Sequence, residues 1–417
     1  MKTRLLCALL CMMMLLATVS LASCNNEQEP ATPEEGTVTR MTVDINPSVE
    51  FMVDDQGLVV SATALNDDGS ILIAGEAFVG KTPEEAIEMV VTLATETGYL
   101  VKGNATAEQN EVKISISGDS EYAKQLTEKV HATATEVLAA LDVEAAVAKA
   151  EAMSLDALRS TALATGLYTE QELAAMDEKQ LYAVLAQSRV ETALLLTEDM
   201  REAYFAAKET RISFAEREET ARIIEEMGGI YQLTHTAYKA ALDAYSSAIV
   251  AVEDFRYETL ISPESPYQQS LAKLREAKTE LLAQKNYVAT LEVDGELYAQ
   301  ATLDLTLSEE QYDKALAAYE ALGAQADAAL QQLIDAMKQA EAQLIELEAK
   351  LFDDNIEATL QAKASEIEAN LNAAKDSYFA EFEAAHAEDI AAMEAALIAE
   401  KQALKDSIQG TDTTESN

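Results

Sequence analysis

Met41, Val43, Ile45, Val49, Phe51 and Val53 all occupy odd positions, with mostly polar residues between them, and the phase is the same on both sides of an Asn46–Pro47 bond. A period of two places alternate side chains on one face of a strand. Proline has no backbone N–H and is confined to a strand start, an edge or a bulge. The stretch Asp44-Ile45-Asn46-Pro47-Ser48 therefore joins two strands of one sheet, and the rest of the first domain must be built around that joint.

The Asn–Pro pair has its own chemistry. Asparagine ordinarily degrades by attack of the following backbone N–H, which Pro47 lacks. What remains is attack by the Asn46 side-chain nitrogen on its own carbonyl, which expels the Pro47 nitrogen and cuts the chain. A carboxamide is a poor nucleophile, so the fold must hold it close to its target and strain the bond. Asp44, two residues back on the same strand face, is placed to take a proton. Ser48 is placed to donate to the carbonyl oxygen or to a water. On chemistry alone a plain strand–bend–strand stands first and self-cleavage second.

The following residues complete an α+β domain over 37–141. Asp54-Asp55-Gln56-Gly57 is a hairpin-type turn, Leu58 to Leu65 a more continuous apolar strand, Asn66 to Gly69 a second turn and Ile71 to Ala74 a fourth short strand. Thr82-Pro83-Glu84-Glu85 opens a helix with a capping box, and Gly98 stops it after Thr97. Val112, Ile114 and Ile116 alternate with polar residues as a strand. A second helix begins near Asp119 or Ser120, with Tyr122, Leu126, Val130, Val137 and Leu141 on one face. The expected fold is a small domain with an antiparallel-rich sheet and two helices, followed by a long, mainly α, coiled-coil-like region.

The segments MTVDINPSVEFMVDDQGLVVSATALNDDG, FVGKTPEEAIEMVVTLATETGYL and VKISISG, in that order, resemble the middle, extracytoplasmic domain of RsgI-type anti-sigma factors. The resemblance covers roughly Thr37 to Leu141, about a quarter of the chain. It implies self-cleavage between the Asn and Pro of a D-x-N-P-S motif, here Asn46 and Pro47, with the two pieces staying paired. Asp44 and Ser48 match the motif; their roles are inferred from chemistry.

Residues 1–23 read as a secretory signal, with Lys2 and Arg4 before an apolar run from Leu5 to Val19. Leu21-Ala22-Ser23-Cys24 reads as a bacterial lipobox, so Cys24 is the expected lipidation site, anchoring the chain to the outer face of the bacterial cell membrane. Cys7 and Cys11 leave with the signal, so no disulfide is expected within the mature chain. Residues 24–36, rich in Pro and Glu, form a tether expected to be disordered and to reach about 40 Å when extended. RsgI-type proteins carry a cytoplasmic anti-sigma domain and a membrane helix before the middle domain. A signal and a lipobox stand in their place here, so direct control of a sigma factor by this chain is not expected.

The formal net charge is −44, and loss of Lys2 and Arg4 makes the mature chain more acidic still. Such a field argues against nucleic acid and anionic lipid surfaces as partners. Gly75 to Thr82 matches the phosphate-cradling pattern G-x-x-x-x-G-K-[ST] between a strand and a helix. Against nucleotide binding stand the charge of Glu76, the apolar Phe78 and Val79, the extracytoplasmic placement, and the recurrence of F-x-G-K-T in the similar family, which does not use it for nucleotides. Asn66 to Gly69 lacks the spacing of a calcium loop. His131, His235 and His386 are isolated on helical stretches. No cofactor or metal is expected, and no turnover enzyme: H-E-x-x-H and G-x-S-x-G are absent from the sequence.

From about Asp142 the composition turns to Ala, Glu, Leu and Gln, and helices are expected throughout. In the helical region 142–261, Ala152 to Arg189 reads as short helices: Gly166 ends one, Thr169 with Glu172 opens the next and Asp177 with Gln180 a third. A long helix over 177–227 is broken at Gly228-Gly229, and another runs from Tyr231 to about Thr259. Tyrosines 204, 231, 238 and 245 fall at helical spacing. Residues 262–307 hold a linker, Ser262 to Pro266, a helix and then an alternating stretch from Tyr287 to Leu305 around Asp294-Gly295. That pattern favours a β-hairpin over a helix kinked at Gly295. In 308–408, Ser308 and Gln311 are expected to cap a helix with two interleaved heptad series: Tyr312, Tyr319, Ala326, Leu333, Ala340, Leu347 and Leu316, Gly323, Leu330, Met337, Leu344, Leu351. After a turn at Phe352 to Asn355 a final helix follows with a phase shift. An antiparallel pair or an oligomeric rod satisfies this seam, so a protein partner or self-association through these helices is open. Residues 409–417 are a polar tail.

Overall fold

The computed structural model describes residues 36–412 apart from 104, 106, 108–109, 151–152, 166–167, 169, 192–213 and 294. The signal, Cys24, nearly all of the tether, Gly166, Thr169, Tyr204 and most of the polar tail lie outside these residues.

The first strand is the middle of the sheet. β1 (Thr39–Asp44), β2 (Ser48–Val53), β3 (Val59–Ala64), β4 (Glu111–Ile116) and β5 (Ala146–Lys149) lie in the order β3-β2-β1-β4-β5. β1 is antiparallel to both neighbours, and β5 joins β4 in parallel. α1 (Asp67–Ile73) follows β3, α2 (Pro83–Glu96) precedes β4, and α3 (Glu121–Ala140) connects β4 to β5. The odd-numbered face of the hairpin, Met41, Val43, Val49, Phe51 and Val53, is buried under Ile87, Val90 and Ala94 of α2 and Leu126 and Val130 of α3. The capping box at Thr82 and Glu85 forms as expected, with Pro83 in the first turn, and Ser120 caps α3.

α4 (Leu155–Ala164), α5 (Glu170–Ala174) and α6 (Glu178–Glu191) bring a second apolar cluster against the sheet, taking in Met52, Val60, Leu158, Leu181 and Tyr182. Asp177 and Gln180 exchange backbone bonds at the start of α6. On this second face Arg40 of β1 pairs with Glu50 of β2, the two only 8% and 1% exposed. Burial holds the Arg40 pKa below its ordinary value.

The remainder is a helical arm. α7 (214–227) ends at Gly228 and Gly229, both in left-handed backbone, where a non-glycine residue is strained. α8 (Gln232–Phe255) runs into a π-helical turn (Arg256–Ile261), and α9 (Pro266–Thr290) starts at the Ser265 cap with Pro266 in its first turn. α10 (Glu296–Leu351), about 84 Å long at 1.5 Å per residue, packs along α8 and α9. α11 (Asp354–Ala362) and α12 (Ala364–Asp412) return the chain to the first domain. There Leu397 and Leu404 of α12 cover Ile71 and Ala74. Among the described residues no helix is long and apolar enough to cross a membrane.

Five expectations are corrected. Residues 71–74 are not a strand: Asn66 caps a helix that is apolar on two sides, with Leu72 and Ile73 facing the domain core and Ile71 and Ala74 facing the arm. Helical periodicity is invisible when both faces are buried. β5 falls in Ala-rich sequence that reads as helix; it is held by parallel pairing to β4. Tyr287 to Leu305 is no hairpin: α9 and α10 flank a short turn in which Gly295 donates to the Glu292 carbonyl at 2.9 Å. A lone two-stranded hairpin is marginal, whereas antiparallel helices here share a long interface. Ser308 lies inside α10, its hydroxyl bonded to the Asp304 carbonyl at 3.1 Å. The heptad seam is real, but it packs within the arm: Tyr319 meets Tyr267 of α9, and Met337, Ala340, Leu344 and Leu347 meet Tyr238, Leu242 and Tyr245 of α8.

Removing the Glu50 carboxylate leaves Arg40 charged and buried; Glu50→Ala should cost about 3–5 kcal/mol in denaturant unfolding. At the arm interface, burial pushes the Glu400 carboxyl up to about 7; Asp68 and Asp67 add to this, and Arg275 and Lys278 oppose it. A raised carboxylate pKa makes docking strongest with the group protonated. Its contribution is complete below the ordinary value of 4.5 and lost as pH rises through about 7. Amide protection of residues 397–408, corrected for intrinsic exchange, should fall over that interval, and Glu400→Gln should flatten the change.

Candidate functional site

The register pairs Asp44 with Ser48, so Ile45, Asn46 and Pro47 form a tight three-residue loop between β1 and β2. Ile45 N–H donates across it to the Pro47 carbonyl at 2.8 Å. Asn46 takes the turn in left-handed backbone, φ 53°. That conformation is uncommon for residues with a side chain, asparagine being one of the few that take it, and a following proline narrows the choice further. Strain of this kind costs about 1–3 kcal/mol and persists only where the surroundings enforce it. Asn46 is exposed while Pro47 is buried, so the bond between them is anchored on its proline side.

Three side chains enforce the turn. The Asp44 carboxylate accepts from the Asn46 N–H at 3.1 Å and from the Ser48 hydroxyl at 2.7 Å. Asn66, the cap of α1, accepts from the Ser48 N–H at 3.0 Å and the Gly69 N–H at 2.8 Å. Its amide nitrogen donates to Asn46 Oδ1 at 3.2 Å. Leu65 N–H donates to the Ser48 carbonyl at 2.9 Å. Gly69 lies so close to that carbonyl that there is no room for a Cβ. Across the other edge of β1, Lys113 lies opposite Asp44; its pKa is raised by its bond to Glu111 first and by Asp44 among the smaller causes.

All four residues of the expected motif are thus brought together. Ser48 donates to Asp44 and not to the Asn46 carbonyl, so its observed part is to orient the carboxylate. Asn66 and Gly69 were not singled out by sequence reasoning. Asn-Asp-Asp-Gly reads as a turn, and only the cap position ahead of a helix would have marked Asn66. A cleft of about 450 Å³ opens on the loop, with Asp44, Ile45 and Asn46 on one side and Lys278, Lys285 and Tyr312 of the arm on the other. The Gly75–Thr82 stretch is no anion cradle: Gly80 N–H donates to Val59, Lys81 N–H to Phe78, and the Phe78 ring packs on Phe51 at 5.2 Å. His131 lies on α3, His235 on α8, and His386 stacks on Tyr257 at 4.5 Å.

Fold and site together define a small α+β domain whose central hairpin turns on an Asn–Pro bond. Residues 38–173 match the family described as the anti-sigma factor RsgI-like central domain, and the chain carries such a domain. Among curated relatives from Acetivibrio thermocellus, Anti-sigma-I factor RsgI7 is 28% identical over 99 residues, 24% of this chain and 17% of the relative. Anti-sigma-I factor RsgI3 is 32% identical over 104 residues, 25% and 15%. Anti-sigma-I factor RsgI4 is 33% identical over 90 residues, 22% and 17%. The matched stretch therefore spans less than a fifth of each relative's length.

Gly69→Ala should force α1 away from the Ser48 carbonyl and cost about 1–3 kcal/mol, as overpacking does. Thermal unfolding of the variant beside the parent measures it.

Proposed function

We propose that the Asn46–Pro47 bond is cut from within and that the chain is a lipid-anchored joint in bacterial envelope signalling. The observation that carries this reading is the strained Asn46 turn, with its side chain held by Asn66 and its backbone N–H by Asp44. The relatives' names as anti-sigma factors supply the signalling context.

In the cut, Asn46 Nδ2 bonds to the Asn46 carbonyl carbon, the bond to Pro47 breaks, and the proton from Nδ2 ends on the Pro47 nitrogen. The first piece then ends in a succinimide at Asn46, and the second begins at Pro47. No water or cofactor is consumed. β1 stays in place because it is hydrogen-bonded along both edges and buries Met41 and Val43. The anchored piece, from Cys24 to Asn46, thus holds the rest by pairing alone. Separation of the pieces frees the ectodomain, which suits sensing or shedding.

Intact mass of the purified chain after denaturation tests this. Two pieces meeting at Asn46 and Pro47 are expected, the first one water lighter than a hydrolytic product until its succinimide opens. They should co-purify before denaturation, and Asn46→Ala should abolish them. A single full-length species would instead make the domain an uncut spacer.

A further inference from the structure

α1 has seven residues, too few to hold a helix alone. Both of its ends are capped by side chains. Asn66 caps the first turn. At the other end Lys401, from α12, is buried to 6% exposure; its ammonium donates to the Leu72 carbonyl at 3.5 Å, to the Ala74 carbonyl, and to Glu76 at 2.7 Å. The flanks are gripped as well. Lys278 of α9 pairs with Asp68, whose carboxylate also accepts from the Tyr99 hydroxyl at 3.0 Å. Arg275 of α9 lies 3.8 Å from Asp67 and 3.7 Å from Glu400. The arm therefore fixes α1, and α1 carries Asn66 and Gly69 against the Asn46–Ser48 loop.

Resting on the self-cleavage reading above, we propose that Asn66 is the positioning residue of the cut and that the arm sets its place by gripping α1. As Asn46 Nδ2 gives up its proton, negative charge develops on Asn46 Oδ1. The N–H of Asn66 points at that oxygen at 3.2 Å, so it favours the loss of the Nδ2 proton that readies the nitrogen for attack. It also fixes the plane of the Asn46 carboxamide and leaves the nitrogen as its free end. The cut itself is unchanged: one N–C bond forms, one breaks, and the proton moves to Pro47.

Asn66→Asp separates positioning from capping. The aspartate keeps the oxygens that accept from Ser48 and Gly69 but, when ionised, has no proton to donate to Asn46. The full chain is synthesised in a cell-free extract and its cleavage followed by mass. The variant should melt with the parent yet cleave about tenfold or more slowly at neutral pH. The rate should recover in acid, where the protonated carboxyl donates again. Equal rates in parent and variant at every pH would reduce Asn66 to a cap and overturn the positioning role. Lys401→Met keeps the apolar stem and removes the grip. It should slow cleavage and speed exchange of the Ser48 amide, which Asn66 holds; unchanged rate and exchange would overturn the arm's part. A parent chain that never cleaves would sink the self-cleavage reading itself, a result distinct from either.

Discussion

Among the described residues, β1 carries most of what lies N-terminal of Asn46 into the fold, and β1 is the middle strand of five. An edge strand could be exchanged with little loss; a central one carries hydrogen bonds on both sides and the most deeply buried side chains. Met41 and Val43 close one face, while Arg40 commits a charge to Glu50 on the other. The hairpin turn, the cap of α1 and the helices over both faces all rest on that strand staying in register. A one-residue slip would exchange the two faces and strand Arg40 in the apolar core.

Cations are scarce in this chain, with 30 Lys and Arg against 74 Asp and Glu, and several of them serve the arm interface. Arg275, Lys278, Lys401 and Lys405 meet Asp67, Asp68, Glu76 and Glu96 of the first domain. The apolar part of the same interface is small, with Leu397 and Leu404 on Ile71 and Ala74. Electrostatic pairing thus gives this contact its register, and the partly buried Glu400 makes it responsive to protons.

Much of the architecture was legible because local chemistry agreed with the tertiary outcome. Thr82 with Glu85, Asp177 with Gln180 and Ser265 with Pro266 start helices where their side chains can cap them. The heptad spacing of α10 marks the face that packs on α9 and α8. The failures share a cause: the deciding contact was distant in sequence. α1 is a helix because the arm and the sheet bury it from two sides, and β5 is a strand because β4 offers an edge. Around Asp294 the alternation lost to helices flanking it on both sides. At the site, Asp44, Asn46, Pro47 and Ser48 were visible as a contiguous motif. Asn66 was not, because its meaning depends on a turn that places it 20 residues away from Asn46 in sequence and within hydrogen-bonding reach in space.

The return of α12 to α1 has a mechanical consequence. If the chain is anchored ahead of Thr39 as proposed, load enters β1 at that end, whereas the arm grips the domain beside the loop, at the opposite end of the same strand. Tension between anchor and arm then runs lengthwise along β1, in shear, and the bonds to β2 and β4 share it simultaneously. A strand loaded from its side would unzip bond by bond at far lower force. With the arm docked, a backbone severed as proposed remains a strong link.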